Sequence, residues 1–287
     1  MEYEHLLKEY TAASSDAQIA EIVAQAVKDS QQNLNADVYK FCFSAIDLTT
    51  LMETDSDVSV ERFVNDAVEL PRKHEGLPNV ASICVYPTFV DIAGLGVEGT
   101  TIGVTSVAGG FPSSQTFLEV KMLEVSMAVE NGADEIDVVI NVGELMQGEY
   151  NQMANDLEMM RKEAGEDITF KVILETNALK TPELIKKAAL LAMFAGADFV
   201  KTSTGKNKGG ATPEAAVVMC QAIKEYYEKT GRRVGFKAAG GIRTAEDAAL
   251  YYTIVKNMLG EEWLEPGLFR LGASALADNL INAIYGE

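Results

Sequence analysis

Eight short runs rich in β-branched and aromatic residues recur along the chain: Lys40–Ile46, Val80–Tyr86, Thr101–Val107, Glu135–Val142, Thr169–Glu175, Asp198–Thr202, Arg233–Lys237 and Leu268–Leu271. Between them lie segments with helical apolar spacing, among them Gln115–Glu130, Gln152–Glu163, Pro182–Phe194, Pro213–Lys229 and Ala245–Leu259. Parallel strands cannot be joined by tight hairpins and need a crossover, so this alternation predicts a parallel sheet. Eight such units predict closure into a (β/α)8 TIM barrel rather than an open sheet. Thr181-Pro182-Glu183 and Thr212-Pro213-Glu214 each place a capping hydroxyl before a proline, which marks a helix start just after a strand.

A chain of 287 residues suits one such barrel, read here as a single domain over residues 1–287, with an extra N-terminal helical segment over 1–39 and the barrel over 40–287. Asp16–Gln32 carries Ile19, Ile22, Val23, Ala26 and Val27 on one side of a helix and is expected to plug the barrel bottom. With 47% apolar and 23% charged residues the chain can bury a large core. The 43 acidic residues against 24 basic ones argue against nucleic acid and anionic membranes as partners. The charged start Met1-Glu2-Tyr3-Glu4-His5 and the lack of a long apolar run fit a cytosolic, cytoplasmic protein. Cys42, Cys84 and Cys220 are too few and too scattered for a disulfide framework or a zinc site, and read as buried thiols.

Alternate residues of a barrel strand face the lumen, and polar groups near the C-terminal strand ends are candidates for catalysis. In Phe199-Val200-Lys201-Thr202-Ser203, Val200 and Thr202 face the outer helices, which turns Phe199, Lys201 and Ser203 inward. In Val234-Gly235-Phe236-Lys237, the same parity turns Lys237 into the same lumen. Two adjacent inward lysines are costly, because ammonium burial and like-charge repulsion both favour the neutral amine. A Schiff-base nucleophile requires that conflict, since a free lysine is nearly all protonated at neutral pH. Lys201 is therefore the candidate nucleophile and Lys237 the cation that activates it. A lone inward lysine would more readily be a structural ion pair, but a pair at neighbouring strand ends favours catalysis.

Glu135-Ile136-Asp137-Val138-Val139-Ile140-Asn141 turns Asp137 inward as a candidate proton shuttle. Parity also turns Lys171 and Glu175 inward, as a structural ion pair or as catalytic groups. Asp47, at the end of the first strand, is either a helix cap or a lumenal acid. Cys84 has inward parity and is placed at the pocket lining, with no histidine partner to make it a nucleophile. Barrels commonly bind phosphate in the loops after the seventh and eighth strands, on glycine backbone and helix N-termini. Gly240-Gly241-Ile242-Arg243 and Gly272-Ala273-Ser274 stand there, and Gly205 with Lys206, beside Thr204, supplies a third wall. The only histidines, His5 and His74, lie away from the strand ends, so neither a metal nor another cofactor is expected.

From about Ser44 to Leu276 these residues resemble the deoxyribose-phosphate aldolase family of class I aldolases. The resemblance rests on Ile46-Asp47-Leu48-Thr49-Thr50-Leu51, Ile83-Cys84-Val85-Tyr86-Pro87, Gly132-Ala133-Asp134-Glu135-Ile136-Asp137-Val138-Val139, Phe199-Val200-Lys201-Thr202-Ser203-Thr204-Gly205-Lys206 and Val234-Gly235-Phe236-Lys237. It implies a barrel fold and reversible cleavage of 2-deoxy-D-ribose 5-phosphate to acetaldehyde and D-glyceraldehyde 3-phosphate. By the same resemblance Lys201 forms the Schiff base, Lys237 activates it, Asp137 transfers protons and Asp47 assists through water. Phosphate binding falls to Gly205, Lys206, Gly240, Gly241, Gly272 and Ser274, and a homodimer is implied. The better-known members often have proline at the position of Ala238 and a second serine at that of Ala275. Rival readings are another Schiff-base barrel, of transaldolase or keto-acid aldolase type, and a catalytically dead sugar-phosphate-binding barrel. The set Lys201, Lys237 and Asp137 argues against the last.

Overall fold

The computed structural model describes residues 3–286. The chain opens with three helices, α1 (Tyr3–Leu7), α2 (Asp16–Ser30) and α3 (Ala36–Ser44), and α3 runs directly into β1 (Ile46–Thr49). There follow α4 (Asp57–Lys73), β2 (Ser82–Val85), α5 (Val90–Val97), β3 (Gly103–Ala108), α6 (Leu118–Glu130), β4 (Glu135–Val139), α7 (Val142–Gln147) and α8 (Tyr150–Ala164). The second half comprises β5 (Thr169–Ile173), α9 (Thr176–Leu179), α10 (Pro182–Phe194), β6 (Phe199–Lys201), α11 (Pro213–Thr230), β7 (Gly235–Ala239), α12 (Ala245–Leu259), β8 (Phe269–Ala273) and α13 (Leu276–Tyr285).

All strands are parallel and pair in sequence order, and β8 closes on β1, so the barrel has no free edge. Each strand buries both faces, the outward one against the helices and the inward one in the lumen, so the polar residues that alternate with apolar ones in β4 and β7 are buried too. Outward residues such as Ile136, Val138, Val200 and Phe236 join the main core under the helices. Thr181 and Thr212 accept from Leu184 N and Ala215 N, capping α10 and α11 as their Thr-Pro-Glu motifs predict. Thr244 likewise caps α12.

Two expectations need correction. The first strand is not Lys40–Ile46: residues up to Ser44 belong to α3, and the strand begins at Ile46. The apolar run there reflects burial on a helix, with Val38, Tyr39, Cys42 and Phe43 inside and Phe41 stacked on Phe269 at 5.9 Å. Nor does α2 plug the barrel bottom. It lies on the outer ring against α11 and α12, tied to α12 by Asn257 donating to Asp29 and, from the turn after it, by Asn33 donating to Thr253.

The helix α6 departs from ordinary amphipathic order. Its inner face buries Lys121, paired with Asp156 of α8 at 3.1 Å, while Val120, Leu123 and Met127, with Phe117 just before the helix, stand half or more exposed.

Candidate active site

The charged side chains that point into the barrel form one ionic cluster. Asp137, on β4, is its centre: Oδ2 accepts from Lys201 Nζ at 2.7 Å and from Lys237 Nζ at 2.8 Å, and Oδ1 accepts from Lys171 Nζ at 2.8 Å. Lys237 also makes a close ion pair with Asp47 of β1, so Asp47 is a lumenal acid and not a helix cap. Register explains the meeting, since Lys201 and Lys237 are direct neighbours on paired strands, as are Asp137 and Lys171. The three lysines and two aspartates are at most 3% exposed.

Burial in so dry a place disfavours every charge, and the neighbours decide which groups keep theirs. For Lys201, burial and then the nearby Lys237 cation outweigh the attraction of Asp137, and its proton affinity falls below that of an ordinary lysine. For Lys237, burial acts in the same direction but Asp137 and Asp47 together overcome it and hold the ammonium above the usual range. Burial would raise Asp137, yet Lys171, Lys201 and Lys237 hold its carboxyl well below the usual range. The site thus pairs a discharge-prone amine with a firm ammonium across one carboxylate.

Sequence reasoning missed two members of this cluster. Arg270 of β8 reaches Asp47 with Nη1 and Glu135 of β4 with Nη2 at 2.8 Å, its guanidinium 5.7 Å from the ring centroid of Phe199. Both carry inward parity: Arg270 lies between outward Phe269 and Leu271, and Glu135 shares the parity of Asp137. The expected pairing of Lys171 with Glu175 is also corrected. Lys171 pairs with Glu135 and Asp137, whereas Glu175 adopts a left-handed backbone (φ 55°) after β5 and leaves the lumen. There its Oε2 accepts from the Thr204 hydroxyl at 2.6 Å and from Asn207 Nδ2 at 2.9 Å, fastening the loop after β6.

Above the cluster opens a cavity of about 360 Å³, with Lys201 in its lining beside Thr204, Gly205 and Lys206. Its far wall is the loops after β7 and β8, Gly240 to Arg243 and Gly272 to Ala275. Gly240 and Gly241 both have positive φ (84° and 79°), a succession that residues with a Cβ resist, and both line the cavity. A Cβ on Gly210 would lie 2.2 Å from Gly240 O, so the loop after β6 packs directly on this turn. The helix α13 follows Ala275, which offers no side-chain cap, so its first-turn amides keep free donors. Ser274 and Arg243 are exposed at the rim. Lys206 bends back onto Leu51 O and lies 5.9 Å over the ring of Tyr86. Cys84 is buried in the lumen with Leu51 and Val107, and burial pushes its thiol up, away from the reactive thiolate.

Barrel and site together define an enzyme of the aldolase class, as comparison with known proteins bears out. The chain belongs to the DeoC/LacD family of aldolases, whose model matches residues 41–262. It is 42% identical to the human deoxyribose-phosphate aldolase over 250 residues, covering 84% of this chain and 78% of that one. The mouse enzyme of the same name is 43% identical, with coverage of 84% and 78%. A solved deoxyribose phosphate aldolase from Aeropyrum pernix has the same fold, with a TM-score of 0.69 at 24% identity, covering 93% of this chain and 99% of that one.

Proposed function

We propose that this aldolase works through a Schiff base on Lys201 and reversibly cleaves 2-deoxy-D-ribose 5-phosphate to acetaldehyde and D-glyceraldehyde 3-phosphate. The observation that carries this reading is the sharing of Asp137 Oδ2 by Lys201 and Lys237, at 2.7 and 2.8 Å, beneath a cavity that Lys201 lines together with the glycines at and after the ends of β6, β7 and β8. The neutral Lys201 amine adds to the C1 aldehyde of the open-chain sugar, and loss of water leaves an iminium. A base takes the proton of the C3 hydroxyl, and the C2–C3 bond breaks with its electrons passing into an enamine on Lys201. Glyceraldehyde 3-phosphate departs. Protonation of the former C2 and hydrolysis of the imine release acetaldehyde and restore the amine.

Asp137, which accepts from Lys201 Nζ at 2.7 Å, and Lys237, which donates to the same oxygen, are by position the groups that accept and donate protons at the reacting amine. Asp47, held by Lys237 and Arg270, orients Lys237 and stands where it can assist a water-borne relay. The phosphate is assigned to the backbones of Gly205, Gly240, Gly241 and Gly272, with Ser274 and the first turn of α13. Lys206 and Arg243 supply cations once Lys206 leaves Leu51. Where the better-known members carry a second serine, Ala275 leaves amide donors to do that work. The direct assay is acetaldehyde release from deoxyribose 5-phosphate, read by a coupled dehydrogenase. Turnover of a keto acid or of a transaldolase donor in its place would refute the substrate assignment.

A homodimer is part of the same reading, and we place its contact on α6. Two copies of a strongly acidic chain repel, and an apolar face lets them meet at the least electrostatic cost. Phe117, Val120, Leu123 and Met127 form an apolar stripe of that kind.

A further inference from the structure

Among the described residues, charged groups enter the lumen from six of the eight strands: Asp47 from β1, Glu135 and Asp137 from β4, Lys171 from β5, Lys201 from β6, Lys237 from β7 and Arg270 from β8. The polar groups of β2 and β3 there are neutral, the hydroxyls of Ser82 and Thr105 and the Cys84 thiol. Fully ionised, the cluster would hold four cations against three carboxylates. An unbalanced buried charge is costly, and the cheapest remedy is for one cation to give up its proton.

Arg270 cannot be that cation, because a guanidinium keeps its proton in proteins. Lys171 faces three carboxylates: Glu135, Asp137 at 2.8 Å and Asp47 at 3.5 Å. Lys237 faces two, Asp47 and Asp137. Lys201 has only Asp137 Oδ2, which it shares with Lys237. Lys201 is therefore the least firmly held of the four.

We propose that Arg270 is a positioning residue for the aldol chemistry: it is the permanent surplus cation of the lumen, it occupies Asp47 and Glu135, and it thereby leaves the Lys201 amine neutral. The proposal rests on Lys201 being the Schiff-base residue. Arg270 is absent from the cavity lining and touches no reacting atom; it acts only through the charge it adds to the cluster. Glu135 is its counterweight, so the two residues carry opposite signs of effect.

The test is the pH dependence of imine formation, read as the initial rate at which acetaldehyde and cyanoborohydride label Lys201, quantified by peptide mass spectrometry. Arg270→Met removes a cation, and the acid limb of the profile should move to higher pH by roughly half a unit or more. Glu135→Gln removes a carboxylate, and the limb should move to lower pH, since Lys171 still keeps Asp137 and Asp47. Arg270→Lys, which restores a cation but one able to lose its proton, should move the limb less than Arg270→Met does, and Arg270→Met with Glu135→Gln should bring it back. A purely structural role would move no limb, or would move both single variants the same way, and either result overturns the proposal. If Arg270→Met does not fold, Glu135→Gln decides alone by the direction of its shift. A label on a lysine other than Lys201 would instead overturn the Schiff-base assignment and is recognised separately by the peptide map.

Discussion

Replacing Lys237 by leucine should nearly abolish the aldol reaction at neutral pH while leaving the barrel folded. Lys201 and Lys237 meet the same oxygen of Asp137 at 2.7 and 2.8 Å, so their nitrogens are no farther apart than the sum of those distances. At that separation and an effective dielectric constant of about 20, two like charges repel by roughly 3 kcal/mol. Without that repulsion the neutral amine at Lys201 becomes rarer by on the order of a hundredfold. The leucine keeps the pocket dry, so burial retains its share of the effect on Lys201, and activity should recover as the pH is raised. Folding should survive because Asp47 keeps Arg270 and Lys171, and Asp137 keeps Lys171 and Lys201. The assay is cleavage rate against pH, with circular dichroism and thermal unfolding as the control for structure. A folded Lys237→Leu protein with most of its activity at neutral pH and an unshifted profile would refute the paired-lysine mechanism.

Two further outcomes follow from the cavity wall and the outer ring. Unphosphorylated deoxyribose should be much the poorer substrate, and Ser274→Asp at the rim should raise KM for the phosphorylated sugar roughly tenfold or more while sparing the other, since a carboxylate there repels phosphate. Equal use of both sugars would remove the phosphate assignment. Leu123→Glu with Met127→Glu, both on exposed positions of α6, should turn a dimer into a folded monomer in sedimentation velocity; an unchanged mass would move the contact elsewhere.

The barrel was legible because its signal is long-range and redundant: eight buried strands alternate with capped helices, and a local error in one does not change the count. The error at Lys40 to Ser44 shows the limit, since Phe41 and Phe43 look the same to composition whether a helix or a strand buries them. The side of the barrel on which α2 lies was illegible for a related reason: an amphipathic face says that something covers it and not what. Within the site, parity placed Lys201, Lys237 and Asp137 in the lumen because their strands run straight to the residue concerned. It failed at Glu175, where a left-handed backbone at the strand end ends the alternation. Arg270 and Glu135 obey the same parity but stand near the beginnings of their strands, away from the C-terminal ends where the catalytic groups of barrels gather. The pairing of Lys171 with Glu135 and Asp137 is a relation across strands, set by register and not by anything in the Lys171 segment itself.

The central claim is that Lys201 is the nucleophile, and reductive trapping tests it most directly. Borohydride with acetaldehyde should leave a reduced two-carbon adduct, and during turnover of deoxyribose 5-phosphate that adduct or the reduced five-carbon sugar phosphate, and the peptide map should place either on Lys201. Lys201→Arg should take no label. An adduct found on Lys171 or Lys237 in place of Lys201, or full activity with no adduct at all, would contradict the account.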